Sequence, residues 1–213
     1  TPFNFSSIGG NLPSAPALMG NVALWKPATT SVASNYVLFQ VLQQAGLPPG
    51  VINFVPSSGR EMGPIALSQP DLAGVHFTGS TSTFHSIWET VGANIRNYHG
   101  YPRLVGETGG KDFIFVHASA DATEVATALV RGAFEYQGQK CSAASRAYLP
   151  QSLWTKIRKE IKAQLAEIKT GDVADFTNFM GAVIDKASFQ KLSGAIAQAK
   201  RSSTCTIVAG GTC

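Results

Sequence analysis

"GVHFTGSTST", Gly74 to Thr83, is the stretch that decides the fold. It opens as a short strand. Gly79 ends the strand, and Ser80, Thr81, Ser82 and Thr83 open a helical pattern that runs to about Asn94. A strand that passes so directly into a helix is a unit of a parallel sheet with crossover helices. The same alternation continues outward. Upstream, "NVALWKP" (Asn21–Pro27) is a buried strand stopped by proline. From Ser31, the spacing of Val32, Tyr36, Phe39 and Ala45 predicts a helix closed by Gly46 and Pro48. "VINFVP" (Val51–Pro56) is the next strand, and a Gly/Ser loop is expected after it.

Downstream, the Gly-rich joint "GETGG" (Gly106–Gly110) is the expected domain boundary, with one domain over residues 1–106 and a second over 107–213. "DFIFVH" (Asp112–His117) is a strand, and Asp121 with Glu124 resembles a helix capping box. The helix after it puts Val125, Leu129, Ala133 and Phe134 on one face. "SRAYLP" (Ser145–Pro150) is a further strand. Helices are expected over Leu153–Lys169 and Asp185–Arg201, and a closing strand over Thr204–Gly211. The predicted class is α/β, with a parallel sheet domain followed by a second α/β domain.

Composition narrows the function. Hydrophobic residues make up 44% and charged ones 14%, which is globular rather than disordered. The net charge of +4 comes without a Lys/Arg run or an aromatic-interleaved basic stretch, so nucleic acid is not the expected partner. No apolar run is long enough to span a membrane. Cys141, Cys205 and Cys213 are widely spaced, and the four histidines lack metal-ligand spacing, so no metal site or disulfide framework is expected.

Several residues have the chemistry of a reactive site, and each also has a plain structural reading. Cys141 follows an apolar helical pattern inside "GQKCSA"; taken alone, it is either a packed thiol or a nucleophile. Glu107, in the glycine-rich joint, is either a solvated carboxylate or a general base on a tight loop. Asn4, among aromatics in "TPFNFSS", either satisfies a turn or donates to an oxyanion. Gly79 to Thr83 could hold a pyrophosphate on helix N-terminal N–H groups, although a capped helix also explains Ser80. Lys26 stands at the carboxyl end of a strand, where open parallel sheets bind ligands. The usual G-x-G-x-x-G fingerprint is absent.

Taken in order, "PFNF", "LWKP", "FTGS", "GETGGK" and "GQKCSA" resemble the NAD(P)-dependent aldehyde dehydrogenases. "NYHGYPRLVGETGGKDFIFVH" and "FEYQGQKCSAASRAYLPQSLW" are most similar to the L-glutamate gamma-semialdehyde (delta-1-pyrroline-5-carboxylate) branch of that family. The resemblance implies Cys141 as nucleophile, Glu107 as general base, and Asn4 with the Cys141 N–H as oxyanion hole. It implies Lys26 at the adenosine ribose, Gly79, Ser80, Thr81, Ser82 and Thr83 at the cofactor phosphates, and Thr1 beside the substrate. It implies NAD as cofactor, a small aldehyde as substrate, a homo-oligomer when full length, and the mitochondrial matrix in a eukaryote or the cytoplasm otherwise. Thr29 stands where many relatives carry an acidic ribose ligand, so NADP is expected to be tolerated. Family members are longer, and the chain is expected to be an internal fragment. Two other classes stay open: a non-catalytic cofactor-binding relative, and an acylating enzyme that passes the thioester to coenzyme A.

Overall fold

The alternation of strand and helix resolves into three parallel strand–helix–strand units in a computed structural model that describes residues 1–213. The chain divides into two compact units, Thr1–Gly109 and Gly110–Cys213, so Glu107 belongs to the first and Cys141 to the second.

The first unit runs α1 (Ser6–Leu18), β1 (Ala23–Trp25), α2 (Val32–Gln44), β2 (Ile52–Phe54), α3 (Gly59–Leu67), β3 (Gly74–Thr78), α4 (Thr81–Ala93) and β4 (Arg103–Glu107). β1 pairs in parallel with β2, Trp25 opposite Phe54. β3 pairs in parallel with β4, from Gly74 opposite Arg103 to Thr78 opposite Glu107. β1 alternates, with Ala23 and Trp25 buried and Leu24 turned outward. Trp25 and Ile52 centre a core that Leu38, Phe39, Leu42 and Phe54 complete. The Phe54 ring meets the indole edge-on at 5.1 Å. Burying side chains of this size is worth about 1.5–3 kcal/mol each.

Two helices here escape the sequence reading. α1 contains Pro13 and Pro16, which argue against a helix interior. It forms against α2, and glycines permit the approach. A Cβ on Gly9 would lie 2.2 Å from Asn35 Oδ1, and one on Gly10 would lie 2.9 Å from Leu38 Cδ2. The helix expected from Ser31 forms as α2, and Phe39 of that spacing packs against the core. Asn35, Leu38, Phe39 and Leu42 point inward, while Tyr36 and Ala45 are exposed. Asn35 is buried and donates from Nδ2 to the Ser31 carbonyl (2.8 Å) and hydroxyl (2.9 Å). α3 replaces most of the loop expected after Pro56. Its start is a capping box: Ser58 Oγ accepts from the Glu61 amide, and the Ser58 amide donates to the Glu61 carboxylate.

The second unit runs β5 (Asp112–Phe115), α5 (Ala122–Phe134), β6 (Ala144–Tyr148), α6 (Gln151–Glu167) and α7 (Lys186–Arg201). β5 and β6 are parallel, with a register shift between Asp112 and Phe113. Asp121 caps α5 by accepting from the Thr123 and Glu124 amides at 2.9 and 3.0 Å. α5 packs on α6, with Ala126, Val130 and Ile157 buried and Gln164 Nε2 donating to Thr127 Oγ1 at 3.0 Å. The predicted α5 face is partly corrected, because Phe134 is 40% exposed and the deepest residues are Ala126 and Val130. The closing strand does not form. Thr204–Gly211 has no partner strand to share its backbone hydrogen bonds, and it stays irregular. No helix is long and apolar enough to cross a membrane.

Candidate active site

The β3–α4 junction is tied to the end of β4. The Gly79 amide donates to the Glu107 carbonyl at 3.1 Å, which continues the β3–β4 ladder by one bond. Ser80 is the N-cap of α4, and its Oγ accepts from the Thr83 amide at 3.2 Å and lies 2.7 Å from Thr83 Oγ1. The amides of Thr81 and Ser82, in the first helical turn, have no acceptor within the helix. They and the helix dipole suit an anion. The Gly109 backbone passes this turn, since a Cβ there would lie 3.8 Å from Thr81 Oγ1.

Aromatic rings hold the junction from below. Phe77 and Phe84 stack at 5.9 Å and 12°, and Trp88 meets Phe84 at 5.8 Å. Phe77 lies over Gly79, and Phe84 lies over Gly106. A Cβ at these glycines would come within 2.5 and 2.3 Å of the respective rings. Glu107 ends β4 with its side chain exposed. In the sequence Phe84 reads only as one more apolar helical residue, with no signal of this role.

Lys26 follows β1 and is half-buried, with Nζ donating to the Pro27 carbonyl at 2.6 Å. Desolvation holds its ammonium below the usual lysine range. Its stem reaches the start of α3, 3.8 Å from where a Gly59 Cβ would be. Thr1 is brought to Lys26: its backbone nitrogen donates to the Lys26 carbonyl at 2.8 Å, and its Oγ1 accepts from the buried Trp25 Nε1 at 3.1 Å. Asn4 is half-buried, one residue before the N-cap of α1. An open groove of about 620 Å³ lies past the carboxyl ends of β1 and β2, lined by Thr29, Thr30, Val32, Tyr36, Phe54 and Pro56 among others.

In the second unit, Cys141 is exposed on the turn Lys140–Ala143, which the Ala143 amide closes onto the Lys140 carbonyl at 3.2 Å. The Cys141 carbonyl rests on Gly110, where a Cβ would be only 1.9 Å from its oxygen. Unlike a ring, a backbone carbonyl has no rotamer to move to. Gly110→Ala is therefore expected to lower stability by about 1–3 kcal/mol, the usual cost of overpacking. Thermal unfolding of the full-length protein checks this, and an unchanged Tm would mean the Cys141 turn shifts freely. Just before Cys141, Glu135 accepts from Arg131 (2.6 Å) and Lys140 (2.5 Å). Its hydrogen bond to Lys140 and that ammonium's charge, with Arg131 adding to them, hold the Glu135 carboxyl below the usual range.

The profile of the aldehyde dehydrogenase family matches residues 1–213. The chain is 52% identical over 215 residues to the mitochondrial delta-1-pyrroline-5-carboxylate dehydrogenase of Dictyostelium discoideum, which covers 100% of the chain and 38% of that protein. It is 49% identical over 214 residues to the Homo sapiens enzyme of the same name, at the same coverage. Among solved structures, the delta-pyrroline-5-carboxylate dehydrogenase of Mycobacterium tuberculosis bound with NAD superposes with a TM-score of 0.96 and 54% identity, over 99% of this chain and 39% of that one. The NAD-bound enzyme from Thermus gives 0.87 and 31%, over 94% and 38%. The chain thus spans about two fifths of the length of the relatives it matches.

Proposed function

Because the chain belongs to the aldehyde dehydrogenase family, we propose that it is part of an enzyme that oxidises L-glutamate gamma-semialdehyde to glutamate with NAD. The observation that carries this reading is the identity of about half the residues, along the whole chain, to proteins named as dehydrogenases of delta-1-pyrroline-5-carboxylate, the cyclised form of that semialdehyde. A eukaryotic source would place it in the mitochondrion, as the names of those relatives suggest, and in this reading in the matrix. The full-length protein is proposed to be a homo-oligomer.

The residues of the first unit fit a dinucleotide. The Thr81 and Ser82 amides with the Ser82 and Thr83 hydroxyls offer donors for phosphate oxygens. Lys26 offers an ammonium to the ribose hydroxyls, and the groove past β1 and β2 offers an apolar wall nearby in sequence. Thr29 puts no carboxylate there to repel a 2′-phosphate, so discrimination against NADP is modest in this reading.

Cys141, as thiolate, attacks the aldehyde carbon and forms a C–S bond, and the carbonyl oxygen becomes an oxyanion. Asn4 and the Cys141 N–H donate to that oxygen. When bound, NAD supplies a hydride acceptor, so that the adduct is oxidised to a thioester. Glu107 takes a proton from water, the water oxygen adds to the thioester carbon, and the C–S bond breaks to release the acid and the thiolate. A base at Glu107 favours water over coenzyme A as the acyl acceptor, and an intact Cys141 and Glu107 favour an enzyme over a cofactor-binding relative.

The test is substrate choice. A pocket built to pair the α-carboxylate and α-ammonium of an amino acid leaves its own polar groups unpaired when an unsubstituted aldehyde enters. Full-length enzyme is expected to prefer glutamate semialdehyde over hexanal by about a hundredfold or more in kcat/KM. Equal turnover of hexanal would reduce the reading to a general aldehyde dehydrogenase.

A further inference from the structure

The backbone that leads into Cys141 is left-handed for three residues in a row. Tyr136 has φ 54° and ψ 38°, and Gln137 has φ 57° and ψ 24°. Gly138 follows at φ 66°. Glycine takes this conformation freely, but Tyr136 and Gln137 carry a Cβ that disfavours it. Such a run persists only where its surroundings over-determine it.

The surroundings do so from several directions. Glu135 holds Arg131 on one side of the turn and Lys140 on the other. Gly138 lies against the end of α5, since a Cβ there would be 2.7 Å from the Ala133 carbonyl oxygen. The Gln139 amide closes the turn onto the Tyr136 carbonyl at 3.0 Å. Finally, two glutamine side chains reach a single irregular segment forty-five residues on. Gln137 Nε2 donates to the Ala182 carbonyl at 2.7 Å, and the Ile184 amide donates to Gln139 Oε1 at 2.9 Å. The two bonds have opposite polarity, so the pair reads both the carbonyl and the amide of that segment. Lys140 and Cys141 come directly after the latched residues, and the thiol remains exposed.

We propose that Gln137 and Gln139 are positioning residues, a two-point latch to Ala182 and Ile184 that fixes the left-handed turn and through it the backbone of Cys141. The inference rests on the reading of Cys141 as the nucleophile. Its chemical sense is that attack on an aldehyde carbon tolerates little displacement. A misplacement of about 1 Å can cost roughly a hundredfold in rate. A strained turn without a latch would relax and take the thiol with it.

The experiment compares Gln139→Met, which keeps the shape but loses the acceptor, with Gln139→Glu, which keeps an acceptor for the Ile184 amide. Both are made in the full-length enzyme with NAD bound, and Cys141→Ala is run beside them. Gln139→Met is expected to slow the pre-steady-state burst of reduced cofactor by about tenfold at its plateau pH. The KM for NAD should stay unchanged, and hydrogen exchange at the Ile184 amide should accelerate. Gln139→Glu should recover most of the burst rate. Gln137→Met, removing the other point, should slow the burst likewise. A wild-type burst rate in Gln139→Met would overturn the latch, as would a Gln139→Glu no faster than Gln139→Met. Unchanged Ile184 exchange in Gln139→Met would overturn it as well. Turnover retained by Cys141→Ala would instead overturn the nucleophile reading, on a variant that leaves both glutamines in place.

Discussion

Cys141→Ala in the full-length enzyme is expected to lower kcat for aldehyde oxidation by at least about 10⁴-fold, the scale on which loss of a covalent nucleophile is felt. NAD affinity should stay within about twofold of wild type, a change under roughly 0.5 kcal/mol. The two halves of this expectation have separate grounds. Alanine removes only Sγ, and no other side chain in "GQKCSA" can act as a thiolate. The change removes a single heavy atom and leaves the backbone of the turn as it is, so stability should change little. The proposed cofactor residues, Lys26 and Gly79 to Thr83, belong to the first unit, whereas Cys141 belongs to the second. Steady-state rates and titration calorimetry check the two halves independently. Normal turnover would end the assignment of Cys141. Lost turnover with lost NAD binding would mean that the thiol holds the cofactor site together.

Sequence periodicity recovers elements whose signals are local. The β3–α4 junction is legible because a strand, one glycine and a hydroxyl N-cap follow each other, and Ser80 does cap α4. Asp121 is legible for the same reason. α1 is not, because Pro13 and Pro16 speak against a helix and the approach of Gly9 and Gly10 to α2 is a tertiary fact. α3 was readable in principle, since Ser58 and Glu61 stand at capping-box spacing, but its glycines and Pro64 masked the signal. Thr204–Gly211 has strand-like residues, yet a strand needs a neighbour that no local pattern supplies. For the candidate site, single residues said little. The five short motifs in order suggested the roles, and the family match now supports that resemblance. Gln137 and Gln139 stayed hidden because nothing in "EYQGQK" announces left-handed backbone at a tyrosine and a glutamine, and their partners lie forty-five residues away.

Glu107→Gln in the full-length enzyme is expected to separate the two chemical steps. Glutamine has nearly the same shape as glutamate, and the Glu107 contact that orders the junction is a backbone one, from the Gly79 amide to the Glu107 carbonyl. The substitution therefore leaves the β3–β4 ladder and the α4 cap in place and removes only the basic carboxylate. In the proposed mechanism attack by Cys141 does not require that carboxylate, because a carboxylate's charge cannot stabilise a thiolate. In that mechanism hydrolysis does require it, because water is a poor nucleophile until a proton is taken from it. The loss of a general base typically costs about 10²–10⁴-fold. The expected record is a burst of reduced cofactor at close to the wild-type rate, followed by a steady state slowed on that scale. Hydroxylamine, which attacks a thioester without a base, should restore turnover in Glu107→Gln as hydroxamate forms. It should do nothing for Cys141→Ala, which makes no thioester. If the burst itself slows as much as the steady state and hydroxylamine restores nothing, Glu107 acts by taking the thiol proton, and deprotonation of Cys141 becomes the step that depends on the end of β4.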